Sequence, residues 1–234
     1  MVVHVAFIAL VLLVGAPASG PGQIREAVLS AGGEAQPAAK GALVEAVARG
    51  DAKTVRALLK AGHPVDERDK ARRTALLLAT RANDTEIARL LIAAGADVNA
   101  KDNIRDTPFL YAGAEGRSEI LRMILVAGAD LTDTNRYGGT ALIPAAHHGH
   151  PETVGLLLET EIDVDHVNNL GWTALIEAVI LGDGGPVYQD IVGRLVDAGA
   201  DTSIADRDGV TPLEHARRLG FAAVAERIEA GPRR

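Results

Sequence analysis

The chain has no cysteine among its 234 residues. Disulfide stapling and thiol catalysis are therefore excluded, and cysteine usage leaves the redox compartment open. Aromatic residues make up only 3% of the sequence, with a single tryptophan, so the core has to be built from Ala, Leu, Val and Ile. Thin layers of small-residue helices fit that material. Positive charge is also short: 24 Lys and Arg stand against 31 Asp and Glu, a net charge of -7. A nucleic-acid partner, which needs clustered Lys and Arg, is disfavoured. No phosphate-cradling glycine loop follows a strand. The serines, Ser19, Ser30, Ser118 and Ser203, stand outside any nucleophile-elbow context, so no catalytic constellation is visible and no cofactor or metal is implied. The longest apolar run, Val2 to Val14, falls short of the ~20 residues that span a bilayer.

That run has the length of a signal-peptide core, and Ala16 and Ala18 give a small-x-small pattern with cleavage expected after Ala18. The flank before it lacks Lys and Arg and offers only the amino terminus and His4. Residues 1–18 are read as a signal peptide and the mature protein as periplasmic or secreted, with no stable membrane span. Cytoplasmic and membrane-anchored alternatives stay open. Residues 19–37, rich in Gly, Pro, Ala and Gln, read as a tether with a marginal helix over Gln23–Ala31, or as a decayed half-repeat.

What the chain does have is a period. Thr74, Thr107, Thr140 and Thr173 are each 33 residues apart, and Thr211 follows after 38. Each threonine opens a short apolar segment, and a second apolar segment follows. A fixed period in this range means a stacked array, in which each repeat buries its apolar face only against its neighbours. The fold class expected is all-α: a solenoid of about six helix-turn-helix repeats with short β-hairpin or turn tips. The expected repeats are about 38–68, 69–101, 102–134, 135–167, 168–205 and 206–230, with residues 231–234 as a C-terminal tail. The first repeat is degenerate, with Gly41 at the threonine position. Each threonine is expected to cap free helical N–H groups, a contribution of ~1 kcal/mol. The five extra residues of the fifth repeat are expected as a loop within Gly182–Asp190, with the second helix resuming at Ile191. Such a loop either reads a partner through Tyr188 or is a tolerated excursion.

These segments resemble ankyrin repeats. The Thr-Pro-Leu-His-x-Ala signature recurs as Thr107-Pro108-Phe109-Leu110-Tyr111-Ala112 and Thr211-Pro212-Leu213-Glu214-His215-Ala216, with Ala for Pro at 75, 141 and 174. Gly-Ala-Asp turns recur at Gly95, Gly128 and Gly199, and a Gly-His pair stands at Gly149-His150. The resemblance covers about Ala38 to Ala230. A narrower resemblance, carried by Tyr137–Ala145, Gly171–Ala178 and the insertion after Gly182, is to exported bacterial ankyrin proteins. Some of these are linked with oxidative-stress defence in the periplasm, although no residue here performs redox chemistry.

The ankyrin resemblance implies a concave face of tips and first helices that binds partners, usually proteins. The partner-binding candidates there are Arg73, Ile104, Asp106, Arg136, Tyr137, His147, His148, Asn169, Leu170 and Trp172, joined by Tyr188 from the insertion. Glu115 and Leu181 stand at further variable positions of the same face. Tyr137, Leu170 and Trp172 fall on successive tips as aromatic and apolar hot-spot types, or else pack tip against tip. His147 and His148 project about 100° apart on a helix and do not readily share one metal ion. Pro144 either widens the groove or is simply tolerated near a helix start. The function expected is non-catalytic protein binding by a monomer. The alternatives are a structural or stress-protective protein without a dedicated partner, or an enzyme on this scaffold.

Overall fold

The computed structural model describes residues 39–231. The expected signal peptide, the tether and residues 232–234 lie outside the described residues.

Twelve helices follow one another in six antiparallel pairs among the described residues. They are α1 (Ala42–Ala48) with α2 (Ala52–Lys60), α3 (Ala75–Ala82) with α4 (Thr85–Ala93), and α5 (Pro108–Ala114) with α6 (Ser118–Val126). Next come α7 (Leu142–His147) with α8 (Pro151–Leu158), α9 (Ala174–Ile180) with α10 (Pro186–Asp197), and α11 (Pro212–Arg218) with α12 (Ala222–Glu229). Odd-numbered helices pack on one another as an inner layer and even-numbered ones as an outer layer. No helix among the described residues is long and apolar enough to cross a membrane.

The core runs between the two layers. Leu76, Leu77, Ile87, Leu91, Phe109, Ile120, Leu121, Ile124, Leu142, Leu157 and Leu175 are fully buried. Alanines 75, 79, 112, 141, 145 and 146 are fully buried beside them and let short inner helices approach closely. This is the small-residue core that the scarcity of aromatics demands.

Four threonines act as expected. The hydroxyls of Thr74, Thr107, Thr173 and Thr211 accept from the N–H three residues on, at 3.2, 3.0, 3.2 and 3.3 Å. Their carbonyls accept from Leu78, Tyr111, Glu177 and His215 at 3.0–3.1 Å. Thr140 departs from the pattern. Pro144 stands where those donors stand and has no N–H, and the buried Thr140 hydroxyl has no partner. Helix α7 accordingly starts at Leu142 and is only six residues long.

In the first repeat the missing threonine is replaced from outside. The Glu67 carboxylate, at the end of that repeat, accepts from the Gly41 N–H and, at 3.1 Å, from the Leu43 N–H. His63 Nε2 meets the same carboxylate at 3.1 Å, and both side chains are nearly buried. Helix α1 is thus capped by a residue far along the chain.

The fifth-repeat insertion corrects an expectation. Only Gly182–Gly185 remain as a connector, because α10 begins at Pro186 and runs twelve residues. Pro at the first helical position lacks only an N–H that would be free there anyway, so the added residues extend the helix. Tyr188 therefore sits on α10, not on a loop. Its hydroxyl donates to the His147 carbonyl at 2.8 Å. A side chain at Gly182 would meet the Tyr188 ring at 2.6 Å, so glycine is what lets the ring lie there.

Candidate functional site

Each repeat tip is a turn closed by one backbone bond and one side chain. The N–H groups of Asp69, Asp102, Asn135, Asn168 and Asp206 donate to the carbonyl four residues on, each at 3.0 Å. The Oδ1 of the same residues accepts two N–H groups of the turn, at 2.8 to 3.1 Å. The turn is therefore pinned by its first residue, as short Asp and Asn side chains do well. Tips also bond to one another: Asn103 N–H donates to the Ala71 carbonyl at 3.1 Å, and Asn169 N–H to Tyr137 at 2.9 Å.

Nine residues after each pinning residue comes a position on the inner helix that faces the concave side: Leu78, Tyr111, Pro144, Glu177 and His215. Two of these residues, Glu177 and His215, pair with their own tips. The Asn168 side-chain amide donates to Glu177 Oε1 at 2.8 Å. His215 Nε2 meets Asp206 Oδ2 at 2.7 Å. An acid on the helix is paired with a tip amide, and an imidazole with a tip carboxylate, so each pair has a donor and an acceptor.

Tyr111, Pro144 and Glu177 open onto a cavity of about 400 Å³ spanning the third to fifth repeats. Asp106, Leu110, Glu115, Arg136, Tyr137, His147, His148, Leu170, Trp172 and Leu181 complete most of its wall. Trp172 also borders a more open groove of about 520 Å³ towards the last repeat, beside His215 and Arg218.

The electrostatics of the main cavity are uneven. Burial pushes the Glu177 carboxyl above its usual range, held back by the Asn168 bond and by His148. Burial, then the neighbouring Asp102, pushes Asp106 up against the pull of Arg136 and Arg81. Burial, then His148, pushes the His147 imidazole down, and its Nδ1 lies 3.6 Å from Glu177 Oε2. His148 Nδ1–H donates to the Ala114 carbonyl at 2.6 Å, which ties the fourth repeat to the third. The Arg136 guanidinium stacks 4.7 Å from the Tyr137 ring centre, and Arg81 lies 4.6 Å from that of Tyr111.

Of the sequence candidates, Asp106, Arg136, Tyr137, His147, His148, Leu170 and Trp172 come together around this cavity. Ile104, Tyr137 and Leu170 form a row of exposed apolar tip residues, 47%, 53% and 45% exposed. Ile104 thus lies on the rim and outside the cavity wall. Asn169 is engaged through its backbone in tip stacking. Arg73 is held in its own tip by Asp69, with Nε 2.7 Å from Oδ2. Tyr188 is committed to His147 as described. His166, at the end of the fourth repeat, bonds the Gly138 carbonyl through Nε2 at 2.7 Å.

Sequence reasoning missed Asn168 and Glu177, and treated Tyr111 as motif only. The available signal was the variable fifth position of each Thr-x-x-x-x-Ala segment. An acid there, inside an apolar run and nine residues after an Asn, stands out from repeats that carry Leu, Tyr, Pro or His.

The family description "Ankyrin repeats (3 copies)" matches residues 43–135 and 109–206. Among solved structures, an ankyrin repeat domain from Acinetobacter baumannii AYE (ABAYE2397) is 53% identical, with 82% of this chain and 97% of that one covered and a TM-score of 0.79. The ankyrin repeat protein EF0377 is 46% identical, with 83% and 99% covered and a TM-score of 0.81. The ankyrin domain of Bcl-3, of the IkappaB protein family, is 29% identical, with 82% and 86% covered and a TM-score of 0.73. The putative ankyrin repeat protein YahD of Escherichia coli K12 is 44% identical over 54 residues, 23% of this chain and 27% of YahD. On this shared fold, motif period and sequence, the chain belongs to the ankyrin-repeat family, whose repeats are in general protein–protein interaction modules.

Proposed function

We propose that the chain is a non-catalytic binding protein that takes a segment of a protein partner along the concave face of its third to fifth repeats. One observation carries this reading. The side chains of Tyr137 and Leu170 stay about half exposed beside Trp172 and above a preformed cavity, although the Tyr137 backbone is already engaged in the stacking of the tips. Half-exposed aromatic and apolar anchors over a preformed pocket are the composition of binding hot spots. We further propose that it acts in the periplasm or outside the cell after loss of residues 1–18. That rests on the apolar run and on the Ala16-x-Ala18 pattern.

Peptides selected from a displayed random library against the folded chain test the first reading. Trp172→Ala with Tyr137→Ala is expected to weaken a selected peptide by about 30-fold or more, as hot-spot truncation does. Val126→Ala, on the convex side and 92% exposed, is expected to leave affinity unchanged. Equal affinity for the double variant, or no selectable peptide, would favour a structural or stress-protective role instead. Amino-terminal sequencing of the protein from its natural host tests export, and an intact Met1 would sink it.

A further inference from the structure

We propose that the cavity across the third to fifth repeats seats a basic side chain, lysine or arginine, of the partner segment. The inference rests on the binding role above and names the chemistry of what binds. The walls are apolar where a side-chain stem would lie: Leu110, Leu170, Trp172 and Leu181. Three carboxylates, Asp106, Glu115 and Glu177, border the same space. Long basic side chains have this shape, an apolar stem with a charged head.

The protein's own cations leave that charge largely unmatched. Asp106 and Glu115 form no ion pair or hydrogen bond through their carboxylates among the described residues. Arg136 is drawn onto the Tyr137 ring at the rim. Arg81 is drawn onto Tyr111 and is absent from the cavity wall. Glu177 keeps one oxygen on Asn168, while its other oxygen lies 3.6 Å from His147, whose imidazole burial pushes down. Burial is the main cause that raises both Asp106 and Glu177, and the pull of Arg136 and Arg81 on the first, and of Asn168 and His148 on the second, does not offset it. A cation entering the cavity supplies what both carboxylates lack, in a site where burial strengthens the attraction.

The test uses the folded chain and three small probes: Nα-acetyl-lysine methylamide, the corresponding arginine amide, and the norleucine amide, which has a lysine-like stem without the charge. Binding is followed by amide and indole chemical shifts on titration. Saturable shifts at the Trp172 indole and at Glu177 are expected with one or both cationic probes and not with norleucine. Asp106→Asn and Glu177→Gln are each expected to weaken that binding by about tenfold, because each removes a charge-assisted contact. Thermal unfolding of both variants confirms that the fold is intact. Equal response to norleucine, or shifts spread over acidic residues all around the molecule, overturns the inference. So does a groove-binding peptide, sensitive to Trp172→Ala, that contains no Lys or Arg; the binding role would then stand without the basic anchor. Failure of every selected peptide to depend on Trp172 and Tyr137 removes the binding role itself.

Discussion

At the third turn position after each pinning residue the backbone adopts positive φ. Gly138, Gly171 and Gly209 occupy it in three repeats, but Arg72 (φ 62°) and Arg105 (φ 68°) occupy it in two. A side chain there costs about 1 kcal/mol that glycine does not. Arg105→Gly is expected to raise the free energy of unfolding by about 1 kcal/mol, measurable by urea denaturation. The Asn168–Glu177 pair gives the opposite sign. Asn168→Asp keeps the turn acceptor and removes the amide donor, setting two carboxylates against each other. A loss of about 1–3 kcal/mol near neutral pH is expected. Glu177 already has a raised folded-state value, so the native state holds its proton more tightly than the unfolded chain. Stability therefore grows as pH falls from the folded value towards the unfolded one, and the variant is expected to recover most of its loss there. Equal losses at neutral and acid pH would show that the carboxylates do not interact.

At the scale of the element, sequence signals were clearest where one residue acts on its own helix. The threonine caps were legible at Thr74, Thr107, Thr173 and Thr211, because the capping bond closes within four residues. They failed at Thr140, where Pro144 removes the donor that anchors the first turn. The cap of α1 was illegible, since Glu67 reaches it only after the whole first helix pair has folded back. Burial pushes Glu67 up, and the Gly41 N–H, His63 and Leu43 N–H pull it below its ordinary value. Such a group contributes stability above its unfolded value of about 4.5, and the contribution is lost as pH falls through the folded value. Glu67→Gln is expected to lose about 1–3 kcal/mol at neutral pH, with the difference shrinking in acid. Amide exchange should show the loss first in Ala42–Ala48, and unchanged protection there would refute the latch. The insertion was misread for the reverse reason. Gly182-Asp183-Gly184-Gly185-Pro186 is a run of helix breakers in the abstract, but Pro186 stands at the first position of a helix, where proline is accepted.

Across the whole molecule, stability is a sum of repeats and their interfaces. The outer helices carry a ladder of Arg–Glu pairs, Arg56–Glu86, Arg89–Glu119 and Arg122–Glu152, at 3.0, 3.0 and 3.5 Å. All six side chains are more than half exposed, so the ladder adds little. Arg89→Ala is expected to change stability by less than about 1 kcal/mol. Leu121→Ala, on the next outer helix and fully buried, is expected to cost about 2–5 kcal/mol and to loosen the helices on both sides of α6. Comparable effects from the two variants, read by chemical denaturation, would mean that the apolar layer between helices does not dominate.

The sequence by itself determined the architecture. A 33-residue period, small apolar residues and turn-forming Asp, Asn and Gly leave a stacked array as the way to bury every apolar face. The period also assigned Asp106, Arg136, Tyr137 and Trp172 to their repeats by count, while the choice of the tip-and-inner-helix side as the partner face came from the ankyrin resemblance. Only the tertiary structure decided how those positions combine. Arg73 and Arg136 look alike in sequence, yet one is spent on Asp69 and the other stacks on Tyr137 at the cavity. Glu177 and Asn168 became a buried pair, and Asp106, Glu115 and Glu177 came to border one space from two repeats apart. The physical reason is distance. Capping and turns are settled within a few residues of chain, whereas the charge balance of a cavity depends on side chains dozens of residues apart that only stacking brings together.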